Sequence, residues 1–122
     1  MDIKKLKLQV EREIASLISK VANIPYELIP KVNEPNDLAY PFIDISSEGD
    51  LYYVVRERGV ELERSIHPDV DCLLNKIFID LSFVLASKKE MEEREIEADY
   101  SFDKIKNIQK EYLKKFNPDW NL

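Results

Sequence analysis

With 122 residues, 44% hydrophobic and 34% charged, the chain is long enough to bury a core as one domain, 1–122, without covalent staples. No apolar run approaches the ~20 residues of a membrane span, and Met1-Asp-Ile-Lys-Lys-Leu-Lys7 lacks the apolar segment and cleavage site of a secretory signal. The single cysteine, Cys72, excludes an internal disulfide, so a cytoplasmic location is expected.

The net charge of −6 is unevenly spread. Residues 21–71 hold eleven acidic against four basic side chains, while residues 104–115 carry five lysines and one glutamate. An acidic middle between basic ends is poor at gripping a phosphate backbone, which needs a continuous positive surface. No nucleic-acid partner and no membrane partner is therefore expected. A basic protein partner suits the distribution better, although acidity also serves solubility alone.

Residues 3–21 place Ile3, Leu6, Val10, Ile14, Leu17, Ile18 and Val21 on one stripe of an amphipathic helix, with Asp2 as its N-cap. Residues 22–41 hold four of the six prolines, a density that neither helix nor central strand tolerates. An ordered surface loop is expected there, pinned by Ile24, Tyr26, Leu28 and Ile29. Three antiparallel strands follow, at about 42–46, 51–57 and 60–66, the first two joined by Ser47-Glu48-Gly49-Asp50.

Between the second and third strands, Glu57-Arg58-Gly59 reads as a three-residue loop, because a two-residue turn would force Arg58 to positive φ. Arg56 then lies opposite Val60, and Val54 opposite Leu62. One face of the hairpin carries Tyr52, Val54, Val60 and Leu62 and is expected in the core. The other carries Tyr53, Val55, Glu61 and Glu63 and is expected outside. A one-residue slip would exchange the two.

Pro68 at the first helical position, or Asp69 as cap, opens the longest helix. Val70, Leu73, Leu74, Ile77, Phe78, Leu81, Val84 and Leu85, with Phe83, form its wide apolar arc. From Lys88 to Glu97 the pattern turns charged, predicting a solvated arm that breaks at 98–101. A final helix, 102–116, has Phe102, Ile105, Ile108, Tyr112, Leu113 and Phe116 on one side, and Trp120 folds back behind it. The expected fold class is α+β: a three-stranded antiparallel meander covered by helices, in the order α-β-β-β-α-α.

Candidate chemistry is sparse. His67 is the only histidine, and one histidine without a cysteine cluster makes no zinc site. Cys72 lies in the first turn of a helix, where a thiol pKa can fall, yet a buried or half-buried structural cysteine is the expected role. Glu90/Glu93 and Glu92/Glu95 share helix faces and could hold Mg²⁺, which would make 90–99 the acidic helix of a small metal-dependent hydrolase. A solvated helix face is the better reading. With only Gly49 and Gly59 there is no glycine-rich phosphate loop. A structural or adaptor subunit pairing through the long helix ranks below both, for want of sustained heptads.

Tyr53-Val-Val-Arg-Glu-Arg-Gly-Val-Glu61 followed by Glu63-Arg64 resembles the hairpin signature of the immunity protein 63 family of bacterial polymorphic-toxin systems. Asp69/Asp71, Leu73-Leu74, Ile77-Phe78, Asp80, Phe83 and Ala86 continue the likeness, as do Asp99-Tyr100, Gln109 and Asn117-Pro-Asp-Trp120. It covers roughly residues 51–120. The family's basic pair after the Asp-aromatic step is replaced here by Ser101 and Phe102, so no role of those arginines carries over. The resemblance implies a cytoplasmic protein that binds and neutralises a cognate toxin domain by occlusion, without catalysis or cofactor; a monomer is favoured, though the sequence does not fix the oligomeric state. Tyr53, Glu57, Glu61 and Glu63 are the expected toxin-binding residues, and the acidic middle suits a basic toxin such as a nuclease.

Overall fold

In the computed structural model, residues 2–95 and 101–122 are described. The elements run α1 (Ile3–Ile18), a 3₁₀ turn at Tyr26–Leu28, β1 (Phe42–Ile45), β2 (Leu51–Glu57), β3 (Val60–His67), α2 (Val70–Glu93) and α3 (Phe102–Phe116). The order α-β-β-β-α-α and the antiparallel meander β1-β2-β3 are as expected from the sequence. The chain divides into two compact units, 1–77 and 78–122, with the division inside α2.

In the first unit, Asp2 caps α1 by accepting the Lys5 amide at 3.1 Å. The helix stops at Ile18, earlier than the stripe suggested, because Lys20 and Val21 bond back to Leu17 and Ile18 in tighter three-residue steps. Val10 and Ile14 are its buried residues.

The proline-rich segment is ordered and follows the sheet. Lys31 and Asn33 exchange backbone hydrogen bonds with Ile43, at 2.9 and 2.7 Å. The Asn33 side chain accepts the Ile45 amide at 2.7 Å. Farther along, Ala39 donates to Arg56 and Arg58 donates to Asp37. The segment therefore closes the β1 side of the sheet. Val32 is the hydrophobic residue it buries, whereas Tyr26, expected as an anchor, is exposed.

β2 is the central strand and is buried on both faces. Its odd residues Leu51 and Tyr53 lie beside Ile45 and Ile43, and Val54 pairs with Phe42 on the opposite face. Leu73, Leu74 and Ile77 of the first turns of α2 are buried in this unit as well. Asp69 is the residue that starts α2, its Oδ1 accepting the Cys72 amide at 2.7 Å.

In the second unit, Phe78 packs against Phe116 at 4.7 Å and Trp120 at 5.7 Å between ring centroids, so Trp120 does fold back. Ala86, Ile105 and Ile108 form a further buried cluster with Tyr112. The Ile79 carbonyl accepts from Ser82 Oγ at 2.9 Å and from Gln109 Nε2 at 3.0 Å, so these two of the buried polar side chains are satisfied. Ser101 caps α3, accepting the Lys104 amide at 3.2 Å. Phe83 and Val84, assigned to the apolar arc, are exposed.

Candidate functional site

The β2–β3 hairpin differs from its expected form at the turn. Glu57 pairs with Val60, leaving a two-residue turn in which Arg58 and Gly59 both have positive φ, 51° and 78°. Two residues with positive φ match the right-handed twist of the flanking strands, and the sheet tolerates an arginine there to keep that match. A bulge then follows between Val55 and Arg56, with Leu62 as the extra residue of β3.

Turn and bulge together redistribute the side chains. Arg56 pairs with Glu61, but Val55 pairs with Glu63 and Val54 with Arg64. Glu61 and Glu63, expected on one face, therefore point to opposite faces. Glu63 joins Tyr53 on the side of α2, where Lys76 Nζ stands 3.0 Å from Glu63 Oε2 and 5.0 Å from the centre of the Tyr53 ring. Tyr53 is only 1% exposed. Its expected place on an outer face is overturned; it is a core residue. Glu57 stays exposed beside the turn.

Glu61 lies among charges on the other face. Asp37 meets Arg56 at 3.1 Å, Arg56 meets Glu61 at 4.0 Å, Glu61 meets Arg64 at 2.9 Å, and Arg64 meets Asp44 at 3.3 Å. The Arg64 guanidinium also sits 5.1 Å from the Tyr52 ring centre. The hydrogen bond from Arg64 to Glu61 raises the arginine pKa above its ordinary value. Alongside it runs a shallow groove of 490 Å³ lined by Pro35, Asn36, Asp37, Phe42, Asp44, Arg56 and Arg64.

Val60 and Leu62, expected in the core, are 58% and 57% exposed, and Ile66 is 59% exposed. All three are on β3, the terminal strand of the sheet. Among the described residues no strand or bridge pairs with its outer edge. An edge strand presents unpaired backbone groups, and exposed apolar side chains flank them on both faces, Val60 on the face of Glu57 and Ile66 on the face of Tyr52. Sequence reasoning missed this exposure because alternation alone cannot locate a bulge.

In the run after Lys88, expected as a solvated arm, Met91, Glu92, Glu93 and Glu95 are exposed as expected, and Glu90 is the exception. Glu90 is 2% exposed and accepts two hydrogen bonds from Arg94, at 2.6 and 3.0 Å, and one from the Ser101 amide at 3.1 Å. Glu93 meets Lys104 at 3.2 Å. The first of the proposed Mg²⁺ pairs is thus committed to cations of the chain itself. Residues 96–100 of the proposed acidic helix, with the Asp99-Tyr100 step, lie outside the described residues. Among the described residues no three His, Cys, Asp or Glu side chains gather as metal ligands, and no helix is long and apolar enough to cross a membrane.

At the junction of β3 and α2, Cys72 is exposed rather than buried, and its Sγ lies 3.2 Å from His67 Nδ1.

A family model described as Immunity protein 63 matches residues 48–122, more than half of the chain. The chain belongs to the Immunity protein 63 family. The Immunity protein 63 segment starts in the β1–β2 turn and takes in the hairpin, α2 and α3, in agreement with the likeness read from residues 51–120. The open edge of β3 and the charged ladder's Arg56, Glu61 and Arg64 fall inside it. Nothing matches the chain among curated proteins or among solved structures.

Proposed function

We propose that this chain binds a cognate toxin domain of a bacterial polymorphic-toxin system in the cytoplasm and neutralises it by occlusion. Membership of the Immunity protein 63 family carries this reading. No catalytic step or cofactor is required of it. A protein inhibitor needs a rigid surface with apolar anchors and charges that steer the encounter. The outer part of the β2–β3 hairpin supports both needs. Val60, Leu62 and Ile66 supply anchors on an open strand edge, while Glu57 and Glu61 supply negative charge beside them.

The toxin surface that fits is basic and offers a strand or an apolar ridge to β3. A nuclease, whose active site must attract phosphate, has that character. Of the four residues first singled out, Glu57 and Glu61 remain in the proposed interface. Tyr53 and Glu63 support it from behind.

The test is growth rescue joined to a binding titration. The toxin domain encoded beside this gene is expressed with and without this chain, and the purified pair is titrated by calorimetry. Rescue with saturable binding is expected. Leu62→Lys should weaken binding by about 30-fold or more, the scale of a central anchor. Failure of the wild-type chain both to rescue and to bind would overturn the proposal.

A further inference from the structure

The proline-rich segment and α1 flank a hollow that the hairpin interface does not use. It measures 420 Å³, and Ile14, Ile18, Ile29, Pro30 and Val32 make its lining mostly apolar. A second hollow of 400 Å³ adjoins it, with Leu38, Tyr40 and Pro41 in its wall. The two share Tyr26, Ile29, Lys31 and Glu34. Pro35 and Asn36 are shared in turn between the second hollow and the groove beside the charged ladder. Three depressions thus adjoin in a row that ends at Arg56 and Arg64, the cations that meet Glu61. Each hollow alone has the volume of a small-ligand site, and a row of them suits an extended chain.

The charges along the row set what such a chain must carry. The cations of the row are already engaged. Lys7 meets Glu11 at 3.8 Å, Arg56 and Arg64 meet Asp37 and Asp44, and Lys31 Nζ lies 4.9 Å from the centre of the Tyr26 ring. Glu27 and Glu34 are exposed, and among the described residues no cation pairs with either. Tyr26 lines the second hollow with them and is 69% exposed. An open aromatic ring and two open carboxylates attract a cation and are a poor seat for a phosphate backbone.

We propose that this row is a second docking site for the toxin domain, occupied by an extended segment of that domain. The apolar side chains of the segment fill the two hollows, and its Lys or Arg residues meet Tyr26, Glu27 and Glu34. Apolar burial supplies the hold, and the charge pairs fix which way the segment runs. The site presupposes the toxin-binding reading above and lengthens the contact from the hairpin through Glu61, whose partners Arg56 and Arg64 line the last depression. Residues 7–41 precede the segment that the family model matches, 48–122, so family membership assigns them no part in binding.

The experiment titrates the full chain with the toxin domain encoded beside its gene, by calorimetry at low and at high salt. Tyr26→Ala should weaken binding about 10-fold at both, the effect of losing an aromatic contact. Glu27→Lys with Glu34→Lys should weaken it about 10-fold at low salt and less at high salt. Ala15→Trp, at a position of α1 that lines the first hollow, should weaken binding by filling the space. All four positions are exposed, so circular dichroism and urea midpoints should match the wild type. Glu48→Lys, an exposed charge reversal outside the row, should leave the affinity nearly unchanged. Amide hydrogen exchange gives the location: residues 26–38 should slow on binding, and slow less in Tyr26→Ala. Wild-type binding that Tyr26→Ala, the double reversal and Ala15→Trp all leave unchanged would overturn the second site and leave the hairpin reading standing. So would slowed exchange confined to residues 57–67. A wild-type chain that does not bind the toxin domain at all would overturn both.

Discussion

Glu90 and Arg94 stand one helical turn apart and meet through two hydrogen bonds, from Arg94 Nε and Nη2 along one edge of the guanidinium, although α2 itself ends at Glu93. The pair does more than join neighbours. Glu90 also accepts the Ser101 amide, tying the end of α2 to the start of α3 across the intervening residues. The Arg94 hydrogen bonds hold the Glu90 carboxyl below the ordinary carboxylate range. Ser101 and Lys104 help, and burial opposes.

The sign of the pH effect follows. A carboxylate with a depressed folded pKa adds stability that is complete above its unfolded value, about 4.3, and is lost as pH falls through the folded value. Urea midpoints measured from pH 7 to pH 3 should drop in that window. Glu90→Gln should lower the midpoint at pH 7 and flatten the acid limb, while the exposed Glu92→Gln leaves both nearly unchanged.

Tyr53 was a candidate contact residue on sequence grounds and is a core residue in the fold. Tyr53→Ala should cost about 3–5 kcal/mol, the range for emptying a buried aromatic site. Equilibrium unfolding in urea checks it. A loss of toxin binding in this variant should track the unfolded fraction and recover at lower temperature or with stabilising osmolyte.

The turn offers a stabilising change. Arg58 holds φ 51° without the conformational ease of asparagine or glycine, and nothing lies within 4 Å of where a Cβ on Gly59 would stand. Arg58→Asn should stabilise by about 0.5–1 kcal/mol, since Asn-Gly is the favoured pair for a turn with two positive φ values. Gly59→Ala should destabilise by about 1 kcal/mol from backbone strain alone. Thermal unfolding of the two variants should shift in opposite directions.

The split of the glutamates predicts different phenotypes for neighbouring charges. Glu57→Lys with Glu61→Lys should slow association with the toxin domain about 10-fold at low salt, an effect that fades at high ionic strength. Glu63→Gln should leave that rate unchanged and cost less than about 1 kcal/mol of stability, because its ion pair with Lys76 is half exposed. Stopped-flow association at two salt concentrations distinguishes them.

Much of the architecture was determined by the sequence alone. Helical spacing placed α1 and α2, and α3 runs from Phe102 to Phe116 as the 102–116 stripe requires. Asp2 and Asp69 cap their helices as local chemistry dictates, and the hairpin and helix motifs carried the family likeness. These are short-range effects, settled by residues within a turn or two of each other. The placement of the hairpin's side chains was decided elsewhere. Turn length and a single bulge set the register, and both depend on how β2 and β3 twist against the rest of the sheet. That choice exposed Val60 and Leu62 and sent Glu61 and Glu63 to opposite faces, while Tyr53 is buried because β2 is the central strand, covered on both faces. The contact between His67 and Cys72 is likewise tertiary in origin, since it needs the angle at which α2 leaves β3. A period-two pattern states which residues alternate; only packing states which of the two faces stays dry.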